Sequence, residues 1–256
     1  MKKLKIYNEF GINPTTNYTA AGLDFYIPDL TSPGLKDVGL VWNELARSYK
    51  TSVNILEKIG NGLVTYLLSD NTNLSEDFIY DNILNLVHLY CALDMPEYED
   101  EYDRNIKYDE DKIHDNIEFF VESSLVIPKS EEEKFGISLG VDESVFFNSG
   151  IRVALPHEHA GIFFNKSGKG NAGFDVRSCC VDEDYTGLVH LSLAYTKDKI
   201  EGSKLYIGDK IIQMIILPIY LVSGVENLTK EEYDKIMEGS ERGTNGFGSS
   251  DEKHDN

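Results

Sequence analysis

The pattern of apolar residues divides this chain into parts of two kinds. Residues 4–30 and 136–225 consist of short apolar runs interrupted by Gly, Pro, Asn and Asp, which is typical of β-strands separated by turns. Residues 32–135 differ, because their apolar residues recur at the three- and four-residue spacing of amphipathic helices. The sequence therefore predicts a mainly β protein that is interrupted by an α-helical insert.

Two features of the insert predict where its helices begin and what they bury. Ser75 precedes two acids as a helix N-cap would, and the acids at 109–111 precede the spaced apolar residues of another helix. The aromatic side chains of these helices are predicted to form a small hydrophobic core rather than a ligand site. They are Trp42, Tyr49, Tyr66 and Tyr90.

Charge follows the same division. The formal net charge is −20, and residues 32–135 hold 22 acidic and 9 basic residues, against 22 and 15 in the rest of the chain. An acidic protein lacks the basic patches that bind duplex nucleic acid, which argues against such a partner. We expect a β-domain formed by 1–31 and 136–225, an acidic helical insertion at 32–135, and a mobile C-terminal tail at 226–256.

Hydropathy and cysteine content limit the expected location. No stretch of about 18 apolar residues occurs, so we expect a soluble protein that has no export signal and no membrane contact. The three cysteines, Cys91, Cys179 and Cys180, form no Cys-x-x-Cys pair, which favours a reducing compartment. The expected location is the cytoplasm, or the host cytoplasm if the protein is viral. Cys179 and Cys180 are predicted to pack in the core.

The densest polar feature of the β part lies between two apolar-leaning runs. Residues 174–181 and 188–195 have β-strand character, and the segment 182–187 between them holds three consecutive acids and Tyr185. This order predicts a β-hairpin with a carboxylate-rich turn. Because neighbouring like charges repel, stability alone would rarely select such a turn, and we expect it to direct a carboxylate at a ligand.

Four further polar clusters occur in the β part and in the tail. A glycine that allows close backbone approach precedes Asp24 at the start of a strand. Segment 165–170 is a loop with two lysines, a serine and two glycines, a composition that suits an anion. A turn at 208–209 precedes a strand containing Gln213, and the loop 242–250 combines glycines with one arginine and one aromatic ring. Each cluster is weak alone, since Gly-rich loops usually have no ligand.

Taken in order along the chain, the five clusters resemble the motifs of the dUTP pyrophosphatase (dUTPase) family, in its all-β, homotrimeric branch. The matching segments are 21–24, 165–168, 181–187, 208–213 and 242–250, and segment 148–156 is similar to the strand before the second motif. The third and fifth motifs are the most specific. The insert at 32–135 lies outside the resemblance.

The resemblance implies a fold and a reaction. The fold would be a jelly-roll-like β-barrel subunit in a homotrimer whose three active sites are each shared between subunits. The reaction would be hydrolysis of dUTP to dUMP and pyrophosphate with Mg²⁺. A protein partner that binds the insert at 32–135 is a further prediction beside this activity.

By resemblance, the carboxylate-rich turn at 182–187 would contain the catalytic residue. Asp182 would orient and deprotonate the water that attacks the α-phosphorus. Tyr185 would pack under the deoxyribose and leave no room for a ribose 2′-hydroxyl, and main-chain groups from Leu188 onward would read the uracil edge. Glu183 and Asp184 would have turn and solvent roles, and Asp184 is expected to hold the turn.

The other motifs would bind the phosphates. Ser167 and Gln213 would hold phosphate oxygens, with Lys166 and Gly168 beside Ser167, and Asp24 would hold Mg²⁺ through water. The tail would close over the substrate, with an aromatic ring on uracil and an arginine and two serines on the γ-phosphate. These tail residues are Arg242, Phe247, Gly248, Ser249 and Ser250.

Three residues depart from the family pattern. Lys166 stands where an arginine is usual, which keeps the charge and loses the two-pronged guanidinium. Asn245 and Asp251 stand where glycines are usual. We expect weaker phosphate contacts or altered tail closure rather than lost activity.

Two other functions compete with dUTP hydrolysis. The related dCTP deaminases share the barrel, so a deaminase or a bifunctional nucleotide enzyme is an alternative. That branch uses a glutamate in the strand after the hairpin, and residues 188–195 contain none. The other alternative is a regulatory protein that uses a dUTPase scaffold and acts through the insert.

His157 and His159 form a weaker candidate for a metal site. The two residues alternate across one position, so both could face a metal on a strand. They follow a proline and have no third ligand nearby in the sequence, which disfavours the site.

Overall fold

The computed structural model describes residues 4–16, 22–31, 38–69, 72–94, 112–198, 203–222 and 224–239. The chain divides into two compact units, one of residues 1–219 and one of residues 220–256. The domain boundaries expected near residues 31, 135 and 225 stay predictions.

The strands of the first unit are short, and every pairing between described strands is antiparallel. The strands are β1 (Lys5–Asn8), β2 (Leu23–Tyr26), β3 (Leu93–Asp94), β4 (Leu125–Val126), β5 (Gly136–Ser138), β6 (Ser144–Asn148), β7 (Ile151–Ala154), β8 (His159–Asn165), β9 (Phe174–Val176), β10 (Cys180–Val181), β11 (His190–Tyr195), β12 (Lys204–Tyr206) and β13 (Lys210–Pro218).

These strands form two four-stranded sheets and two smaller ones. The larger sheets have the orders β10-β8-β13-β2 and β3-β6-β11-β9, and the smaller ones are β1-β7 and β12-β5-β4. Buried and less buried residues alternate along much of β11, because successive side chains of a strand point to opposite faces. The arrangement confirms the predicted mainly β, jelly-roll-like fold with a helical insert, although the described strands do not close into one barrel.

The helices lie mostly in the predicted insert. They are α1 (Val38–Ser48), α2 (Val53–Ser69), α3 (Glu76–Asp81), α4 (Ile83–Ala92), α5 (Ile113–Ser123), α6 (Ser167–Ala172) and α7 (Lys230–Ile236). The predicted N-cap at Ser75 is confirmed, since its side chain accepts a hydrogen bond from the Phe78 amide at 3.2 Å. The acids predicted to start the helix before Ile113 fall outside the described residues.

The insert is joined to the sheets by both backbone and side chains. Its strand β3 pairs with β6, and its strand β4 pairs with β5. Tyr90 packs edge-on against Phe120 within the insert, with ring centroids 5.3 Å apart, and His88 packs on Phe147 of β6 at 5.5 Å. Helices and sheets therefore share one hydrophobic core.

The aromatic side chains predicted to be core are distributed as expected. Tyr49 and Tyr90 are buried, and Trp42 and Tyr66 are partly buried against the same core. Since Tyr49 also packs near His88, these rings belong to the shared core rather than to a separate small one.

The second unit contains the short helix α7. It begins with a capping box, in which the Thr229 side chain accepts from the Glu232 amide and the Glu232 side chain accepts from the Thr229 amide. No residue of α7 is buried. Among the described residues, no helix has both the length and the apolar content that crossing a bilayer requires.

Candidate active site

The predicted hairpin is paired at its base and open toward its tip. β9 pairs with β11 from Phe174 and Tyr195 to Val176 and Leu193. The chain then leaves β11, and β10 pairs with β8 instead. The prediction of one continuous hairpin over 174–195 is therefore wrong beyond residue 178, because the outer arm then joins the neighbouring sheet.

Ser178 terminates the ladder where the two arms separate. Its hydroxyl accepts a hydrogen bond from the Ser192 amide at 2.7 Å and donates to the His190 carbonyl at 3.2 Å. The Arg177 amide donates to the Ser192 carbonyl at 2.9 Å. A side chain thus replaces the strand that has left, so the backbone groups at the fork keep their partners.

The separated arms enclose a pocket of about 330 Å³, which we call the slot. One wall is the segment 177–182, the opposite wall is formed by Tyr185, Val189, His190 and Ser192, and Phe146 and Phe163 complete the lining. The volume lies at the small end of the range for small-molecule sites. Asp182 is exposed at the slot, so its carboxylate is accessible to a ligand there.

Tyr185 is fixed across the turn. Its hydroxyl donates to the Leu188 carbonyl at 2.9 Å, and its amide donates to the Asp182 carbonyl at 3.2 Å. The ring covers Gly187 so closely that a Cβ at that position would lie 2.3 Å from the Tyr185 hydroxyl oxygen. Only glycine allows this approach, and the ring is held at the edge of the slot.

Glu183 holds the turn from outside. Its carboxylate contacts His157 Nδ1 at 3.0 Å and accepts a hydrogen bond from the Glu158 amide. The hydrogen bond with His157 lowers the pKa of Glu183 from its ordinary value. The expectation that Asp184 holds the turn is wrong, because Asp184 is exposed and its neighbour Glu183 makes these contacts.

His190 faces the slot from β11. Its ring stacks on Phe146 with centroids 4.6 Å apart, and its buried Nε2 has no hydrogen-bond partner among the described residues. Burial lowers the pKa of His190, so the imidazole is neutral at neutral pH. A neutral ring with an unsatisfied nitrogen can donate to or accept from a ligand in the slot.

Cys179 and Cys180 lie on the outer arm. Both side chains are exposed and both residues line the slot. The prediction that they pack in the core is wrong, because β10 is an edge strand of its sheet. The third cysteine, Cys91, is buried.

A second polar region, which we call the lysine cluster, lies at the opposite edge of the same sheet. It consists of Lys166, Lys169 and Lys210 with their acidic partners Asp24 and Asp209. Lys166 Nζ lies 2.5 Å and Lys210 Nζ lies 3.5 Å from the Asp24 carboxylate, while Lys169 Nζ lies 2.7 Å from Asp209. A hydrogen bond with Tyr26, reinforced by Asp24, raises the pKa of Lys210.

The segment predicted to be an anion-binding loop is the short helix α6. Ser167 and Gly168 are its first residues, and the helix ends at Gly173, whose φ of 110° suits glycine. The loop prediction is therefore wrong, since one helical turn continues directly from β8. The predicted turn at Gly208 is confirmed, with a φ of 87°.

Gln213 packs beside the motif that contains Asp24. In the sheet, Gln213 of β13 lies opposite Asp24 of β2 and opposite Phe164 of β8. A Cβ on Gly22 would lie 2.6 Å from the Gln213 side chain, so a glycine is required there. The first, second and fourth predicted motifs therefore meet in the lysine cluster.

The slot and the lysine cluster are separate within one chain. The sheet order β10-β8-β13-β2 puts two strands between them, with Val181 opposite Gly161 and Asp24 in register with Phe164. Strand spacings of about 4.8 Å and a rise of about 3.3 Å per residue put the Cα atoms of Asp24 and Val181 roughly 15–20 Å apart. The predicted substrate residues thus form two groups rather than one.

The tail residues predicted to bind substrate lie outside the described residues. They are Arg242, Phe247, Gly248, Ser249 and Ser250, together with the departures Asn245 and Asp251.

The residue predicted to contact Mg²⁺, Asp24, belongs to the lysine cluster. Among the described residues, no group of three or more His, Cys, Asp or Glu side chains could hold a metal ion by itself. Mg²⁺ that travels with a nucleotide commonly takes one or two protein carboxylates and keeps several waters. Asp24 is a partly buried carboxylate that fits such a water-mediated contact once phosphate oxygens draw away Lys166 and Lys210, which now pair with it.

Sequence reasoning missed several residues that shape the slot. Within β11, polar His190 and Ser192 alternate with apolar Leu191 and Leu193, a signal that could have placed both polar side chains on one face. Phe146 and Phe163 carry no such signal, since they come from other strands and reach the slot only through the fold.

Comparison with known proteins agrees with the motif pattern. Residues 130–251 match the family model described as dUTPase. The predicted resemblance to the dUTPase family is confirmed over these residues. The helices of the insert from α1 to α5 precede the matched region.

Three solved structures to which the chain is similar are themselves dUTPases. A mutant enzyme from phage phi11 of S. aureus, studied for its structural Mg(II) ion, is 16% identical, covers 38% of this chain and 79% of its own, and has a TM-score of 0.32. The EIAV enzyme is 22% identical, with coverages of 43% and 92% and a TM-score of 0.32. A mutant of the Staphylococcus bacteriophage 80alpha enzyme with dUpNHpp is 19% identical, with coverages of 45% and 80% and a TM-score of 0.33.

Proposed function

We propose that this protein hydrolyses dUTP to dUMP and pyrophosphate. The observation that carries the proposal is the slot, a pocket within the family-matched region with a carboxylate, Asp182, and a fixed aromatic ring, Tyr185, in its lining. Asp182 would activate the water that attacks the α-phosphorus, because an exposed carboxylate can accept a proton from a water held beside it.

The slot would hold the pyrimidine through backbone groups. The amide and the carbonyl of Ser192 both face the outer arm, and strand alternation directs those of His190 to the same side. The His190 carbonyl is bonded to Ser178, which leaves the His190 amide directed at the slot. Uracil offers carbonyl oxygens along one edge, and these oxygens would accept from such a donor.

Tyr185 would select the sugar. Its hydroxyl is tied to the Leu188 carbonyl, so the ring cannot swing away without losing a hydrogen bond. A fixed ring under the sugar excludes a 2′-hydroxyl by contact, which would make the enzyme selective for deoxyribose.

The lysine cluster would take the triphosphate. Lys166, Lys169 and Lys210 are now ion-paired with Asp24 and Asp209, and phosphate oxygens would compete for the same ammonium groups. Ser167, Gly168 and Gln213 lie in or beside this cluster and are proposed as further phosphate contacts. Mg²⁺ bound with the triphosphate would supply positive charge to the phosphate oxygens, and Asp24 would hold it through water.

A homotrimer is part of the proposal. The slot and the lysine cluster lie too far apart in one chain for Asp182 and Asp24 to contact the same α-phosphate, so a complete site would combine the slot of one copy with the lysine cluster of another. The tail residues, from Arg242 to Ser250, would close over that site. We propose a cytoplasmic location, or the host cytoplasm for a viral protein, and leave a partner of the insert as a prediction.

The decisive experiment is pyrophosphate release over a full panel of nucleoside triphosphates. We expect dUTP to be preferred, and Asp182→Asn to lower kcat by about a thousandfold, as loss of a general base does. Asp184→Asn is the matched control, since it removes an exposed acid of the same turn and should keep full activity.

Two results would contradict the proposal. One is a correctly folded wild type that turns over no deoxynucleoside triphosphate. The other is an Asp182→Asn variant whose dUTP turnover equals that of the wild type. Ammonia release from dCTP would instead support the deaminase alternative.

A further inference from the structure

Arg152 of β7 links three separate parts of the first unit. Its Nη1 donates to the Thr186 carbonyl in the turn at 2.7 Å. Its Nη2 lies 3.1 Å from the Glu9 carboxylate, just after β1, and 3.6 Å from the Glu44 carboxylate on α1 of the insert. One guanidinium therefore touches the candidate active site and the insert at the same time.

The acidic partners of Arg152 are largely removed from water. The Glu44 side chain is 5% exposed and that of Glu9 is 10% exposed, while Arg152 itself is 26% exposed. Carboxylates in such positions need a cation close by, because an unpaired buried charge is costly. The two acids therefore constrain where the guanidinium can lie, and a planar guanidinium that is held on one side presents its other N–H groups in a fixed direction.

A second contact fixes α1 against the same region. The Asn148 side chain donates to the Ser48 hydroxyl at the end of α1, and Asn148 lies opposite His190 in the pairing of β6 with β11. The helix that supplies Glu44 is thus tied to the strand that precedes β7. A displacement of α1 would therefore alter two contacts, the one with Asn148 next to His190 and the one with Arg152 next to the turn.

We propose that Arg152 is a positioning residue for the turn 182–187, and that Glu44 of the insert holds it in place. Thr186 directly follows Tyr185, so the Arg152 contact and the Glu183 contacts hold the turn from two sides. The insert thereby contributes to the selection of deoxyribose over ribose. This step rests on the proposed function, because it takes Tyr185 as the residue that contacts the sugar.

Three variants test the link. Arg152→Lys keeps a positive charge for Glu9 and Glu44 but loses the two-pronged reach to the Thr186 carbonyl. Glu44→Gln keeps the shape of the side chain and removes its charge. Arg47→Met is the matched control, since the exposed Arg47 pairs with Glu44 at 2.8 Å and does not contact the turn.

The first measurement is native-state hydrogen exchange of the Tyr185 amide, which donates within the turn. Exchange should be about tenfold faster in Arg152→Lys and in Glu44→Gln, since a hydrogen bond from a charged donor is lost or loosened. Arg47→Met should match the wild type. An unchanged rate in Arg152→Lys would overturn the inference.

The second measurement is the ratio of kcat/KM for dUTP to kcat/KM for UTP. The ratio should fall about tenfold in Arg152→Lys and Glu44→Gln, through KM rather than kcat, because a loosened ring excludes the 2′-hydroxyl less well. A purely structural role for Arg152 would lower the melting temperature and leave this ratio unchanged, which would contradict the proposal. Arg47 does not contact the turn, so an equal fall in Arg47→Met would show that the effect does not pass through the Arg152–Thr186 contact. That outcome would overturn the proposal.

The two levels of the proposal fail differently. A folded wild type without dUTP turnover would overturn the proposed function and the sugar assignment together. An active wild type whose sugar selectivity survives Arg152→Lys would overturn the inference alone.

Discussion

In the slot, Asp182 and His190 line an open volume, whereas in the lysine cluster each lysine already contacts a carboxylate. The slot is built from two strands that separate, and its shape is fixed by the Ser178 and Tyr185 hydrogen bonds. The lysine cluster is held by ion pairs, and in each pair at least one of the two side chains is a quarter or more exposed. The slot thus has a fixed shape that suits a planar ring. The lysine cluster instead provides ammonium groups, for which a phosphate group would have to compete with the carboxylates.

This difference matches the chemistry that each region would have to perform. A planar base and a sugar are recognised by shape and by a few directed hydrogen bonds, so a rigid pocket suits them. A triphosphate is recognised mainly by charge, and lysine ammonium groups can exchange one anionic partner for another at modest cost. The predictions below test whether the two regions differ in this way.

Gly187→Ala should break the slot and give the largest effect. The added Cβ would lie 2.3 Å from the Tyr185 hydroxyl oxygen and 2.5 Å from its ring, so the ring must move. We expect kcat/KM for dUTP to fall about a hundredfold, as small displacements of positioning groups can cause. Steady-state kinetics measure this effect.

Gly224→Ala is the control for that change. A Cβ at Gly224 meets nothing within 4 Å, so this variant should keep the activity of the wild type. Wild-type kinetics in Gly187→Ala would show that the position of Tyr185 is not fixed by its contact with Gly187.

Acid should weaken the core behind the slot. Burial, with a smaller contribution from nearby His190, lowers the pKa of His88 to about 3. The pKa of His88 in the folded protein lies below the unfolded value of about 6.5. The free energy of unfolding is therefore at its full value above pH 6.5 and decreases as the pH falls toward 3, because only the unfolded chain takes up the proton in this range. At pH 5 the wild type should lose about 2 kcal/mol of unfolding free energy through this residue.

Denaturant unfolding at pH 7.5 and pH 5 measures that loss. In His88→Leu the difference between the two pH values should shrink by about 2 kcal/mol, since the titrating group is gone. His114→Leu, which changes an exposed histidine on α5, should retain the full difference. An equal pH dependence in all three proteins would show that His88 is not the acid-sensitive group.

Lys166 tests the lysine cluster and should give the smallest effect. Lys166→Met removes one ammonium group and should raise KM for dUTP about tenfold, the loss expected for one charge-assisted contact. Lys166→Arg should keep KM at or below that of the wild type, because the guanidinium can bind phosphate with two hydrogen bonds.

Salt sharpens this last comparison. KM of the wild type should rise with ionic strength, and the dependence should weaken in Lys166→Met, because screening acts on the charge that has been removed. If Lys166→Met leaves KM unchanged, Lys166 pairs with Asp24 and does not bind the phosphate.

The acidic composition of the insert contrasts with its position in the fold. Its excess of acids suggested a part that is set apart from the β-domain, yet β3 and β4 extend the sheets and His88 packs on Phe147. Its surface is acidic because solvent faces tolerate charge, whereas its apolar faces are buried with the strands. The fold therefore allows the insert to act on the site, as Glu44 and Arg152 illustrate.

The sequence by itself determined the classes of structure and several local details. Periodicity distinguished helices from strands because side chains repeat every 3.6 or every 2 residues, and the Ser75 cap and the Gly208 turn follow from local chemistry. The order of the motifs indicated a resemblance to the dUTPase family, and the family match over 130–251 includes every one of these motifs except the first.

Only the tertiary structure decided how the site is assembled. Local pattern could not show that β10 leaves β11 for β8, because both pairings satisfy the same alternation of side chains. Nor could it show that Arg152 reaches Glu44 and Thr186, since partners that are over thirty and a hundred residues away leave no trace in spacing. Contacts at long sequence separation are set by which surfaces the core brings together, and for this protein they form the slot, the lysine cluster and the link between insert and turn.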